Sequence, residues 1–221
     1  MGAHTNVRSP SVDAVLIVLS AVPLISGCTL AVEMVGSDVL GNAMAHSKAR
    51  AAREEAALRP APARYQTSED TNRAFKSFAG GKAAISGLGA PTTEHSDCRA
   101  FGPLPIEHQI TIPQFVAKAI YDELNGAGLY DGIKGAQWTG EVTKIALYAN
   151  LQLRSGWWDL AVRIRSDTGA EVNAGSRYLF EVGTDVQKAC EQAAPAALGA
   201  ATQALLKNLV SHPNFKTLLR R

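Results

Sequence analysis

The chain has 221 residues, with 22 Lys and Arg against 20 Asp and Glu and a formal charge of +2 at pH 7. So even a balance, with no clustered basic stripe, gives no warrant for nucleic-acid binding. Hydrophobic residues make up 46% and aromatics only 6%, which predicts a core of small side chains and argues against an aromatic carbohydrate platform.

Val12 to Gly27 is apolar or small apart from Asp13, and holds the run Ala14-Val15-Leu16-Ile17-Val18-Leu19. That is short of the ~20 apolar residues a bilayer span needs, but it suits the core of a signal peptide. Upstream, only Arg8 and the amino terminus are positive. The run ends in Leu24-Ile25-Ser26-Gly27-Cys28, which resembles the lipobox of bacterial lipoprotein precursors: aliphatic, small, small, cysteine. An uncleaved membrane anchor and a buried core segment are the competing readings; Pro23 and the short apolar length argue against the anchor. The resemblance implies cleavage between Gly27 and Cys28, a diacylglycerol on the Cys28 thiol and a further fatty acyl chain such as palmitate on the new amine. Each buried methylene contributes ~0.8 kcal/mol, so two or three chains would hold the protein to a bilayer almost permanently. Thr29, where an Asp would favour inner-membrane retention in the enterobacterial pattern, implies an outer-membrane protein facing the periplasm.

The leader is therefore expected over 1–27, and residues 28–70 read as a lipidated N-terminus with a flexible or partly helical tether. Gly41 to Leu58 is rich in Ala, Lys, Arg and Glu, and Pro60-Ala61-Pro62 breaks it. The basic stretch Lys48 to Arg53 either touches anionic head groups or is a solvated helix face. Such a tether would let a folded α+β domain, expected over 71–221, stand off the membrane.

Within that domain Lys82 to Leu88 reads as a short strand between glycine turns. Cys98 to Ile106, broken by Gly102, Pro103 and Pro105, suits an edge segment. Thr111 and Gln114 form a capping box with Pro113 in the first turn. Phe115, Val116, Ala119, Ile120, Leu124 and Ala127 then make one apolar helical stripe, with Lys118, Asp122 and Glu123 off it on the solvent side. Gly126 and Gly128 end the helix.

Three strand-like runs follow: Trp138 to Ala149, Gly156 to Ser166 and Glu171 to Glu181. In the middle run Trp158, Leu160, Val162 and Ile164 alternate with Trp157, Asp159, Arg163 and Arg165, so one face is covered and the other wet. Ser166-Asp167-Thr168-Gly169 predicts a tight hairpin turn. Thr184 with Gln187 repeats the capping-box signal for a helix from about Asp185 to Val210, kinked at Pro195 and weakened at Gly199. Pro213 to Leu219 is a final short helix. The order predicts a two-layer sandwich, an antiparallel sheet of about four strands with two helices packed on one face.

With Cys28 lipidated, Cys98 and Cys190 are the remaining cysteines, in a compartment where disulfides persist. A bridge between them is expected; two buried free thiols are the alternative. The segments Phe101-Gly102-Pro103-Leu104, Ile112-Pro113-Gln114-Phe115-Val116, Tyr121-Asp122-Glu123-Leu124, Gly156-Trp157-Trp158-Asp159-Leu160 and the stretch from Ala189-Cys190 through Pro213-Asn214-Phe215 are similar to small bacterial lipoproteins. The region from Ile112 to Arg221 resembles the uncharacterised YajG-type outer-membrane lipoproteins. That likeness implies a fold and brings no catalytic residue with it.

No catalytic, cofactor or metal motif emerges. The histidines are scattered, and Glu94-His95-Ser96-Asp97-Cys98 reads as a polar surface loop. Around Phe78 to Ala83 the phosphate-loop pattern fails, because Lys76 and Ala83 stand where Gly and Ser or Thr belong. Trp157, with Arg163 and Arg165 on the same strand face, is the candidate binding face; a rim tryptophan covered by the tether or an arginine stem is the alternative. The expected function is thus non-enzymatic: a lipid-anchored envelope protein that touches the membrane through acylated Cys28 and binds or scaffolds another envelope protein. A periplasmic carrier of a small molecule or lipid is the second expectation, and an envelope hydrolase the third. No cofactor is expected.

Overall fold

The computed structural model describes residues 61–91, 94–152 and 154–219, together with Lys48. The expected leader, the expected cleavage site between Gly27 and Cys28, and most of the expected tether, including its basic stretch apart from Lys48, lie outside the described residues.

The protein is α+β; the described residues form a mixed sheet of five strands and four helices from Glu69 onward. Strands β3 (Ala136–Asn150), β4 (Ser155–Ser166) and β5 (Glu171–Glu181) run antiparallel, as their alternation predicts. The other two depart from expectation. Both β1 (Ala83–Ile85) and β2 (Glu94–Ser96) pair parallel to β3, against its first and second halves respectively. Parallel neighbours need a crossover of a dozen or more residues, and α2 (Ile112–Gly126) supplies it between β2 and β3. The expected all-antiparallel sheet of about four strands is therefore corrected at this edge.

The local signals explain the elements. Thr111 and Gln114 close the capping box of α2, with both reciprocal bonds present. In the β4–β5 hairpin, Gly169 N–H donates to Ser166 O and Ser166 N–H to Ala170 O, with Gly169 at φ +82°. This left-handed position after a turn is one that glycine occupies without a Cβ penalty. The second long helix starts one residue later than the Thr184 signal suggests. Asp185 is its cap, and its carboxylate accepts from the N–H groups of Gln187 and Lys188. Val186–Lys188 opens the helix, Ala189–Ala193 forms a π turn, and α3 (Ala194–Val210) continues with Pro195 in its first turn. The proline cannot donate, and the widened turn absorbs that loss in place of a simple kink.

The core lies between one sheet face and the helices. Trp138, Trp158, Leu160, Val162 and Ile164 are buried with Ile120 and Leu124 of α2 and Leu198, Leu205 and Leu209 of α3. Two indole N–H groups fasten the sheet to helical carbonyls: Trp138 to Leu218 O at 2.8 Å and Trp158 to Ala194 O at 3.0 Å. The last helix, α4 (Phe215–Leu218), is anchored by Phe215. Its ring meets Phe75, Phe78 and Trp138 edge-on at 5.5, 5.0 and 5.8 Å, a favoured aromatic geometry.

Packing begins before Thr71. Residues 61–70, expected as the end of the tether, cross the domain and start α1 (Glu69–Lys76). Ala63 is fully buried and bridges the Ile106 segment through Ala63 N–H to Pro105 O and Glu107 N–H to Ala63 O. Gln203 Nε2 donates to Gln66 O. This crossing explains Gly199, whose added Cβ would stand 2.3 Å from Arg64 O. Helix propensity alone would favour Gly199→Ala by ~1 kcal/mol. The collision outweighs it, and we expect a net loss of roughly 1–3 kcal/mol. Chemical denaturation reads the sign, and a more stable Gly199→Ala protein would refute this account of the crossing.

Candidate functional site

Alternation places Trp157, Asp159, Arg163 and Arg165 of β4 on the sheet face opposite α3. Register adds Tyr148, Ala146, Glu141 and Thr139 from β3 and Leu179, Arg177, Asn173 and Glu171 from β5. His95 of β2 joins them, beside Ala146. At one end of the face the side chains form a continuous stack. The His95 ring lies on Tyr148 with centroids 4.5 Å apart, Tyr148 lies on Trp157 at 4.8 Å, and the Arg177 guanidinium covers Trp157 at 5.8 Å. Each contact has the geometry of ring stacking or of a cation over an aromatic face. Leu179, directly across from Trp157, is 66% exposed. Trp157 Nε1 is buried and has no hydrogen-bond partner among the described residues.

Asp159 lies beneath this stack and is not wet: it is only 5% exposed. Arg177 donates from Nε to Oδ1 at 2.7 Å and from Nη2 to Oδ2 at 2.8 Å, and Lys144 Nζ reaches Oδ2 at 2.9 Å. Arg177 is the main cause that holds the Asp159 pKa down at about 2; desolvation opposes it and Lys144 assists. A carboxyl depressed in the folded state contributes stability that is full above its unfolded pKa of ~3.9 and disappears as pH falls towards 2. Its cationic partners are largely in solvent, which screens the pairs. We therefore expect Asp159→Asn to remove roughly 1 kcal/mol of the acid loss between pH 4 and 2. Urea unfolding of both proteins at pH 6 and pH 2.5 measures it; equal acid losses would contradict the assignment.

Arg163 and Arg165 lie on this face but away from the aromatic stack. Six to eight residues along β4 from Trp157 put them roughly 20 Å or more off. Both are paired: Arg163 with Glu141 at 3.4 Å and with Glu171 at 3.8 Å, and Arg165 with Glu171. The Arg165 hydrogen bond, more than that from Asn173, holds the Glu171 pKa below its usual value. The companions of Trp157 are instead Tyr148, His95, Arg177 and Leu179, drawn from three other strands. No spacing within a single segment signals them.

The other sequence candidates have structural uses. His95 Nε2 meets Asp97 Oδ1 at 3.0 Å, Asp97 Oδ2 accepts from Ala149 N–H, and Ser96 Oγ accepts from Cys98 N–H. This segment is a strand and its closing turn. Cys98 and Cys190 form a disulfide-compatible pair, with Sγ–Sγ 2.00 Å and Cα–Cα 5.3 Å, between the end of β2 and the π turn. Among the described residues no group of three or more His, Cys, Asp and Glu is placed to hold a metal, and no helix is long and apolar enough to cross a membrane.

Glu123 reverses its expected exposure. It is fully buried, and accepts from Tyr65 Oη at 2.5 Å, Ser68 N–H at 3.3 Å and Asn72 Nδ2 at 3.3 Å. Burial first, and the Glu123 carboxyl second, push the Tyr65 phenol far above its usual pKa. The apolar stripe of α2 misleads here because the segment 61–76 covers a second face of that helix.

A separate apolar groove of about 900 Å³ opens beside the start of α2, lined by Leu88, Pro103, Leu104, Ile106, Ile110 and Ile112 among others. Gln109 on its rim and the preceding His108 both hold positive φ, +55° and +61°, a conformation uncommon outside glycine.

Compared with known proteins, the chain matches no family model and no curated protein.

Proposed function

We propose that the protein is a non-enzymatic, lipid-anchored envelope protein of the outer membrane that binds or scaffolds another envelope protein across its open sheet face. The address rests on the lipobox at Cys28 and on the likeness of residues 112–221 to YajG-type lipoproteins. The binding role rests on one observation: an aromatic and cationic stack, His95–Tyr148–Trp157–Arg177, at a sheet face flanked by exposed Leu179. Among the described residues the helices pack on one side of the sheet, as in a two-layer sandwich, and leave this face open to a partner. Aromatic and arginine side chains at the centre of a patch are the usual carriers of interface energy.

Crosslinking in intact cells followed by purification through a tag tests both parts. Cys28→Ser should remove the protein from membranes or leave it unprocessed, and Leu179→Asp should reduce capture of a reproducible partner at least tenfold while the fold persists. Membrane retention and lipid labelling of Cys28→Ser would refute the anchor. Undiminished capture by Leu179→Asp would refute the face.

The groove beside α2 favours a second reading, a carrier of an apolar small molecule or acyl chain. It lies at the rim of the sheet, outside the sheet–helix core, where Ala197, Leu198, Ala201 and Leu205 are closely packed. Native mass spectrometry of protein extracted from its own envelope would show a retained ligand; uniformly ligand-free protein counts against this reading.

A further inference from the structure

The open edge of β5 carries information that the stack does not. Val182 N–H donates to Arg154 O and Ser166 N–H to Ala170 O across the hairpin, which sets the alternation of the whole β4–β5 ladder. Residues 172, 174, 176, 178 and 180 exchange bonds with β4, so the backbone groups of 171, 173, 175, 177, 179 and 181 point outward. The carbonyl of Gly175 confirms this direction, because Asn208 Nδ2 of α3 caps it from outside at 2.8 Å. Beyond that cap, the outward N–H and C=O groups of Arg177, Leu179 and Glu181 have no partner among the described residues. An exposed strand edge of this kind is a template for another strand.

Side chains on the same stretch define what fits. Leu179 is exposed. Glu181 has no ion pair among the described residues, and Arg177 uses Nε and Nη2 on Asp159 while Nη1 has no partner among them. Arg177 and Glu181 are about 14 Å apart along one strand, too far to pair within a single chain. Charged side chains commonly guard sheet edges, but Arg177 is folded back over Trp157 and leaves the edge open.

We propose that β5 pairs antiparallel with β5 of a second copy of this chain, about a two-fold axis through Leu179. Leu179 then faces Leu179 of the other copy, and Arg177 of each copy faces Glu181 of the other. Opposite charges directly across strands stabilise a pair and like charges oppose it. An axis through Arg177 would oppose two guanidinium groups, and one through Gly175 meets the Asn208 cap. The Leu179 register has neither fault. An axis normal to the sheet keeps the helices of both copies on one side and joins the two open faces. This inference goes beyond the proposed envelope role and does not depend on it.

Cysteine crosslinking of the purified full chain, with Cys28→Ser to remove an unrelated thiol, tests the register. Directly opposed, hydrogen-bonded antiparallel residues have Cα atoms about 5.5 Å apart, within disulfide range. Under mild oxidation Leu179→Cys should give at least tenfold more covalent dimer than Asn173→Cys, which lies on the same edge and face. Adding Glu181→Arg to Leu179→Cys should reduce that dimer at least tenfold, and light scattering should find two-copy mass in the chain carrying only Cys28→Ser at ~100 μM. Circular dichroism checks that each variant is folded; Leu179 is exposed, so its replacement leaves the core untouched. A folded Leu179→Cys protein that stays monomeric, equal crosslinking at Asn173→Cys, or dimer that survives Glu181→Arg would each overturn the proposal. The assay contains no other envelope protein, so its failure leaves capture of a different partner in cells unaffected.

Discussion

Replacing Cys98 or Cys190 with serine is expected to lower stability by about 4–5 kcal/mol, the largest single effect in the domain. The two residues are 92 apart in sequence, and closing a loop of that length removes about this much conformational entropy from the unfolded chain. Neither end has a strong local alternative. Cys98 follows a three-residue edge strand, and Cys190 sits in the π turn that accommodates Pro195. For a domain of this size each kcal/mol shifts Tm by roughly 2–4 °C, so a loss of about 10 °C or more is expected. Protein made in an oxidising compartment should also resist alkylation at both positions until reduced. Two thiols that alkylate without reductant, or serine variants that melt with the wild type, would show that the bridge does not form.

The second large effect is expected at Glu123. Replacement by leucine keeps much of the volume but removes the acceptor for Tyr65 Oη, Ser68 N–H and Asn72 Nδ2. A buried donor left unsatisfied costs about 1–3 kcal/mol, so a total near 3–5 kcal/mol is expected, softened where Asn72 or Ser68 turns to water. Glu123→Gln keeps one carbonyl acceptor and should lose about half as much. The loss should be concentrated in the segment 61–76, which Glu123 pins to α2, and hydrogen exchange at Ala63 and Asn72 should accelerate first. A Glu123→Leu protein as stable as wild type would mean that this segment is held without the carboxyl. Tyr65→Phe, which removes one donor and leaves the acceptor satisfied by two others, is the milder control.

Glu123 also shows where reading along the chain stops. Its place off the apolar stripe of α2 is correct, since the stripe faces the sheet. Nothing in residues 111–128 says that a segment some fifty residues earlier covers the adjacent face with a phenol, an amide and a backbone N–H. The same limit applies to Asp159. Alternation assigns it to the outer face, where it is, but its burial comes from Arg177 and Lys144 on neighbouring strands. Trp157 was legible as the aromatic on that face, with Arg163 and Arg165 as its apparent companions by strand parity alone. Register decides otherwise, because residues opposite one another across strands are closer than residues six positions apart on one strand.

By itself the sequence determined the features whose causes are local: the capping box at Thr111, the glycine turn at Gly169, and the inward and outward residues of β4; it raised the pairing of Cys98 with Cys190 only as an expectation. It also holds Leu24-Ile25-Ser26-Gly27-Cys28, whose resemblance to a lipobox is read without any packed neighbour. Only the tertiary structure decided that β1 and β2 run parallel to β3, that residues 61–70 belong to the packed domain, and that His95, Tyr148, Trp157 and Arg177 form one stack. Those features depend on which distant segments meet and in what register. Hydrophobic periodicity specifies a face to be covered, while the partner that covers it is chosen by the packing of the whole chain.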